Sequence, residues 1–203
     1  MALRLLFVRH AAHAEVGRVL SGRTDGAGLS DEGRAQAARL GQRLRRVAPR
    51  DLLTSPRRRA QETAAILGDA LGLAPRGMAA LDEINFGDWT GRAFAELDGD
   101  PAWTAWNGQR AVTRPPRGEA MHETQSRILG WMDALRLAVP DGAVVAVTHA
   151  DVIKAALCAH LGLSLDAHHR FDIAPASLSA IELWPAGGRV LSVNETPALE
   201  AWT

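Results

Sequence analysis

The sequence predicts an α/β fold: a three-layer sandwich with a mostly parallel central sheet, helices on both faces and a C-terminal antiparallel hairpin. Three observations carry this. Short apolar runs at residues 3–8, 51–55 and 143–147 lack the alternation of a half-solvated strand, which suits strands covered on both sides. Each is followed by a stretch of helical periodicity, and repeated strand–helix alternation builds a parallel sheet through right-handed crossovers. The tail breaks that pattern, because SLSAIELW and RVLSV are joined by PAGG and read as a hairpin.

The elements follow in order. Residues 3–8 are apolar except for Arg4 and too few for a helix. Ser30 can cap a helix whose first turn holds Asp31 and Glu32, with Leu40, Leu44 and Val47 recurring on one face. DLLTS is the second strand, and Ser55-Pro56 reads as a cap with proline at the first helical position of a helix running to about Leu71. Residues 122–139 form a long helix with Ile128, Met132, Leu135 and Val139 on one side. Residues 143–147 are the third strand, and DVIKAALCAHLG is a helix closed by Gly162. Between about residues 84 and 121, Trp89, Trp103, Trp106 and a PPRG turn mark a partly irregular excursion over one end of the sheet, its tryptophans read as core and lid packing. There is no internal repeat or linker, so residues 1–203 are expected to form one domain.

Composition narrows the function. With 47% hydrophobic and 23% charged residues the chain is an ordinary globular mixture. Lys plus Arg and Asp plus Glu are 23 each, so net charge recruits neither nucleic acid nor an anionic membrane. Lys154 is the only lysine, which leaves the positive charge on arginine, the side chain whose planar fork suits phosphate and carboxylate. Cys158 is the only cysteine, which precludes an intrachain disulfide and fits a reducing compartment. No charged leader precedes an apolar core, and no apolar run nears the roughly 20 residues that span a bilayer, so the expected location is cytoplasmic. Nothing in the sequence sets the oligomeric state, and a homodimer is left open.

In open α/β sheets ligands bind beyond the carboxyl ends of the strands. Arg9-His10 follows the first strand, Arg57 to Arg59 the second and Thr148-His149 the third. Two histidines and at least two arginines meeting there make a pocket for an anion, and phosphate best matches arginine forks and helix N-termini.

These residues and spacings also resemble the histidine phosphatase superfamily, the phosphoglycerate mutase-like group. The resemblance runs through FVRH, SGRTDGAGLSDEGRAQA, TSPRRRAQETA, LDEINFGDWTG, RGE and VTHADVIKAAL, in that order. It implies that His10 is the nucleophile and that Arg9, Arg59 and His149 hold the phosphate oxygens. Glu83 is implied as proton donor to the leaving oxygen and then as the base that activates water, with Asp82 or Asp88 as rival carboxylates. Arg59 is the arginine the pattern places in the pocket, while Arg57 and Arg58 are expected to face solvent. Ser21, Gly22 and Arg23 match a loop that approaches substrate in relatives. Arg9 and Arg59 should lower the pKa of His10, and a facing phosphate dianion should raise that of Glu83. No cofactor or metal is implied, because the arginines supply the positive charge.

The chain also departs from the family pattern. Ala11, Ala12 and His13 stand where Gly-Glu-Thr or a close variant is usual, which raises His13 as a substitute donor to substrate. Val16 replaces an asparagine, Thr90 a glutamate and Ala150 a glycine. His160, His168 and His169 have no metal-ligand spacing and read as structural or surface residues. Other phosphate chemistries fail on residues: Ser164 stands where a cysteine-phosphatase loop around Cys158 needs arginine, Asp98 and Asp100 follow no buried strand, and there is no P-loop. The expectation is therefore a phosphomonoester hydrolase acting on a small phosphorylated metabolite. The alternatives are phosphoglycerate mutase-type transfer and a non-catalytic phospho-ligand binder.

Overall fold

The computed structural model describes residues 2–26, 28–185 and 187–196. Its strands are β1 (Leu3–Arg9), β2 (Asp51–Thr54), β3 (Arg76–Gly77), β4 (Gly142–Thr148), β5 (Leu178–Trp184) and β6 (Gly187–Glu195). Its helices are α1 (Asp31–Leu44), α2 (Arg58–Leu71), α3 (Phe94–Leu97), α4 (Pro101–Gly108), α5 (Met121–Ala138) and α6 (Ala150–Leu161). Single 3-10 turns lie at Ala79–Leu81, Gly87–Trp89 and Leu165–Arg170.

The strands form one six-stranded sheet in the order β3-β2-β4-β1-β5-β6. The first four are mutually parallel, while β5 runs antiparallel to β1, and β6 to β5. Side chains of a strand alternate between faces, and here both faces are apolar. Leu3, Leu5 and Phe7 of β1 join Val144 and Ala146 of β4 in one core, under α5, α6 and the tryptophans. Leu6 and Val8 join Val145 and Val147 in the other, under Leu40 and Leu44 of α1 and Ala60, Ala64 and Leu67 of α2. Continuous apolar runs are what such a doubly covered strand requires.

The caps show where local chemistry prevails. Ser30 accepts from the Gly33 amide at 3.1 Å, as its position before an acidic first turn predicts. Gly162 closes α6 at φ 67°, a conformation glycine adopts without steric cost. The second helix differs from expectation: it begins at Arg58 with Arg57 as cap residue, and Ser55 is not its cap. The Ser55 hydroxyl is already engaged by His149 at 2.8 Å and accepts from the Arg57 amide at 3.3 Å, so Pro56 sits in a turn before the helix. The edge strand β3, two residues long, leaves no pattern for a sequence reading to find.

The excursion contains α3 and α4 among irregular chain. Trp89 and Trp106 are buried in the first core, and Trp103 meets Trp89 edge-on at 5.3 Å. The tryptophans therefore anchor the excursion by burial.

Candidate active site

Backbone bonding continues one residue past the strand ends. The His10 amide donates to the Thr148 carbonyl and the Ser55 amide to the Val147 carbonyl, both at 2.9 Å. His10, Ser55 and His149 are thereby held side by side at the carboxyl edge of β1, β2 and β4. The first turn of α2 brings Arg59 over them, and the chain after the 3-10 turn at Ala79–Leu81 brings Glu83.

The histidines have defined tautomers. His10 Nδ1 lies 3.0 Å from the Ala11 carbonyl oxygen, which can only accept, so Nδ1 carries the proton. Its Nε2 then has the lone pair, and accepts from Arg59 Nε at 3.2 Å. His149 is the reverse: Nδ1 accepts from the Arg59 guanidinium at 3.1 Å, so Nε2–H donates to Ser55 Oγ. The two rings lie 5.2 Å apart. Burial, and then the charges of Arg59 and Arg9, hold the His10 pKa well below the usual imidazole value; burial and Arg59 do the same for His149. Both rings are neutral at pH 7.

Arg59 is 4% exposed and meets no carboxylate at hydrogen-bond distance. It donates to the Gly22 carbonyl at 2.7 Å and the Thr24 carbonyl at 3.3 Å, and Glu83 Oε2 lies 4.0 Å away. Gly22 is fixed by this geometry, with φ 49° and Thr90 and Phe86 atoms within 3.0–3.3 Å of where a Cβ would stand. Arg9 donates to the Ile173 carbonyl at 2.5 Å and keeps a buried Nε without a partner.

Glu83 is buried, 3.5 Å from His149 Nδ1, and its Oε1 accepts from the Ile84 amide at 3.0 Å. Burial, with the nearby charge of Asp151, pushes its pKa up to about 8 against the opposing pull of Arg59 and Arg9. The carboxyl is raised by its surroundings alone, before any phosphate faces it. Asp82, the rival carboxylate, is committed elsewhere: it pairs with Arg57 at 2.9 Å and Arg23 at 3.5 Å, and accepts from the Glu83 amide. Asp88 is paired with Arg117.

Arg9, His10, Arg59 and Glu83 line a cleft of roughly 160 Å³ together with His13, Ser21, Gly22 and Asp151, while His149 is fully buried and does not line it. The His13 ring is 5.3 Å from that of His10, and burial and Arg59 lower its pKa to about 4. Ser21 Oγ donates to Glu15 at 3.1 Å. Arg23 does not line the cleft: it donates to the Glu83 carbonyl and to Glu119, each at 2.7 Å, and so braces the backbone that carries Glu83. Arg57 corrects the expectation of a solvent-facing side chain, since besides Asp82 it donates to the Arg23 carbonyl at 2.6 Å. Arg58 is exposed and pairs with Glu62, as expected.

Sequence reasoning missed Ser55 as the group orienting His149, and Asp151. Asp151 is tied at 2.5 Å to Arg110, itself 7% exposed and stacked over Trp106 at 5.0 Å. The signal available was an acidic residue one turn into the helix after His149, but its partner lies 41 residues away in the excursion. His168 is buried, and no group of His, Cys, Asp and Glu side chains among the described residues could hold a metal ion. No helix among them is long and apolar enough to cross a membrane.

Residues 5–196 match the family described as histidine phosphatase superfamily (branch 1). The chain belongs to that superfamily. Within it, a glucosyl-3-phosphoglycerate phosphatase of Mycobacterium tuberculosis is 33% identical over 173 residues, covering 80% of this chain and 77% of the relative. Phosphoserine phosphatase 1 of Hydrogenobacter thermophilus is 29% identical, covering 96% and 93%. The solved native structure of a mycobacterial glucosyl-3-phosphoglycerate phosphatase superposes with a TM-score of 0.86 at 28% identity, covering 97% of this chain and all of the other. This histidine phosphatase fold thus spans the whole described chain, with phosphatases of small metabolites among its relatives.

Proposed function

We propose that the protein is a phosphomonoester hydrolase that acts on a small phosphorylated metabolite through a phosphohistidine at His10. The observation that carries this reading is the tautomer of His10: a neutral ring with its lone pair on Nε2, beside a buried arginine that meets no carboxylate at hydrogen-bond distance among the described residues.

A phosphate dianion entering the cleft takes the donors of Arg59 and Arg9 for its oxygens, and His149, oriented by Ser55, becomes a donor to them only when Nδ1 takes up a proton. His10 Nε2 attacks phosphorus as the bond to the ester oxygen breaks, and the Glu83 proton passes to the departing oxygen to give a neutral alcohol. The Glu83 carboxylate then takes a proton from water, the resulting hydroxide attacks phosphorus, and the N–P bond breaks to release inorganic phosphate. Arginine donors stabilise charge on the phosphoryl oxygens in both steps. A carboxyl with a pKa of about 8 is protonated for the first step at pH 7, as a general acid must be.

The deciding experiment incubates the native chain and His10→Ala with a panel of phosphate esters in the presence of EDTA and measures free phosphate. Release that persists in EDTA and disappears in His10→Ala is expected. No release, with isomerisation of a phosphoglycerate in the presence of a bisphosphorylated primer, would replace hydrolysis by mutase-type transfer. Stabilisation by esters without any turnover would replace it by ligand binding.

A further inference from the structure

The lining of the cleft divides by chemistry. Arg9, His10, Arg59 and Glu83 serve the phosphoryl group on the reading above. The wall beyond them is Val16, Val19, Leu20, Phe86, Phe94 and Ala150, drawn from the loop after β1, the turn after Glu83 and the starts of α3 and α6. Among the described residues, the cations close to this wall each donate to another group, Arg18 to a backbone carbonyl and the others also to carboxylates. Arg18 donates to the Ala14 carbonyl at 2.5 Å, Arg23 is held by Glu119 and the Glu83 carbonyl, and Arg57 by Asp82. Ser21 is bonded to Glu15. The fixed carboxylates on this side are Asp151, held by Arg110 at 2.5 Å, and Glu15, which accepts from Ser21 at 3.1 Å.

We propose that the cleft selects phosphomonoesters whose leaving alcohol is uncharged and apolar-faced, and discriminates against those carrying a second anionic group. The inference rests on the hydrolase reading for the direction in which the ester lies. Its physical basis is desolvation. A carboxylate or second phosphate on the leaving group would lose water against valine, leucine and phenylalanine, where the nearby arginines are already held by other groups. A neutral alkyl or aryl group loses nothing and covers apolar surface. His13 fits the same wall, since burial and Arg59 keep its ring uncharged above about pH 4.

The test uses two pairs of compounds equal in size and shape and different in charge. The native chain is given 4-isopropylphenyl phosphate and 4-carboxyphenyl phosphate, and kcat/KM is measured for each. Binding of 4-isopropylbenzylphosphonate and 4-carboxybenzylphosphonate, which have no ester bond to break, is measured by calorimetry on the same chain. The neutral member is expected to be favoured at least about 10-fold in both. Val16→Arg, which sets a cation in the wall, is expected to move the ratio toward the carboxylate by at least about 10-fold. Equal or tighter binding of the carboxybenzylphosphonate, or binding of neither phosphonate, overturns the proposal. Phosphonate binding with the expected preference but no turnover of either ester would leave the proposal standing and sink the hydrolase reading.

Discussion

Two buried arginines, Arg59 lining the cleft and Arg110 bonded to cleft-lining Asp151, are treated in opposite ways. Arg110 faces Asp151 at 2.5 Å, Asn107 Oδ1 at 3.1 Å and the ring of Trp106, so its charge is matched where it stands. Arg59 faces two neutral imidazoles, two carbonyls and a carboxyl that keeps its proton at pH 7, so its charge is hydrogen-bonded but unmatched. A buried cation without a counter-ion is costly to fold. The contrast is that one arginine ties the excursion to α6, while the other is the cation that the proposed hydrolase reading assigns to the phosphate.

The comparison can be broken first at Arg59. Arg59→Met is expected to lower kcat/KM by about 10³-fold or more, the range for arginine on a transferring phosphoryl group. It should also abolish the rise in melting temperature that inorganic phosphate gives the native chain, as read in a thermal melt. If the variant retains both, the unmatched charge serves no anion.

Arg110→Met is the structural counterpart. It leaves the Asp151 carboxylate buried without its cation, a loss of about 3–5 kcal/mol for a broken buried pair. Urea unfolding checks this, and its effect on stability should exceed that of Arg59→Met. The reverse order would mean that Arg59, not Arg110, is the structural tie.

Glu83 sharpens the comparison through pH. Its folded pKa of about 8 stands above the ordinary 4.5, so the unfolded chain releases this proton first as pH rises. The contribution of Glu83 to stability is therefore full below about pH 4.5 and is lost between there and about pH 8. Glu83→Gln, which cannot ionise, is expected to melt higher than the native chain at pH 8 and to differ little at pH 5, by roughly 2–4 °C for each kcal/mol recovered. Its turnover should nonetheless collapse, a stability gained at the expense of function.

The smallest expected effect is that of Asp151→Asn. Activity in the native chain should fall as pH rises through about 8, where Glu83 loses its proton, and as pH falls through the depressed pKa of His10. Removing the Asp151 charge relieves the repulsion that helps raise Glu83, so the alkaline limb of the kcat/KM profile moves to lower pH. An unmoved limb would show that burial alone sets the pKa.

Much of this arrangement was legible in the chain. The runs at 3–8 and 143–147 have no alternation because both faces of β1 and β4 are covered, and that fact alone predicts a layered sheet. That Arg9, His10, Arg59 and His149 come together could be read because each sits within a few residues of a strand end, where position along the chain translates directly into position in space. Ser55 was misread as a cap because its hydroxyl has two suitors, and the winner, His149, is 94 residues distant. Arg57 was misread because its partners Asp82 and Arg23 belong to separate loops. Asp151 stands in the first turn of the helix after His149, but nothing local names its partner Arg110, 41 residues away. Interactions decided within one element could be read; those decided where loops meet could not.

The placement of β1 has a consequence in time. Leu3 pairs with Gly142 on one side and with Leu183 on the other, so among the six strands of the sheet β1 waits longest for its neighbours. Until β4 and β5 have been made, nothing fixes the direction in which Arg9 and His10 point. Pairings of such long range close slowly and late. The candidate site is thus assembled only once β5 has been synthesised, and a nascent fragment ending before β5 carries His10 without the pairing that holds β1 on that side.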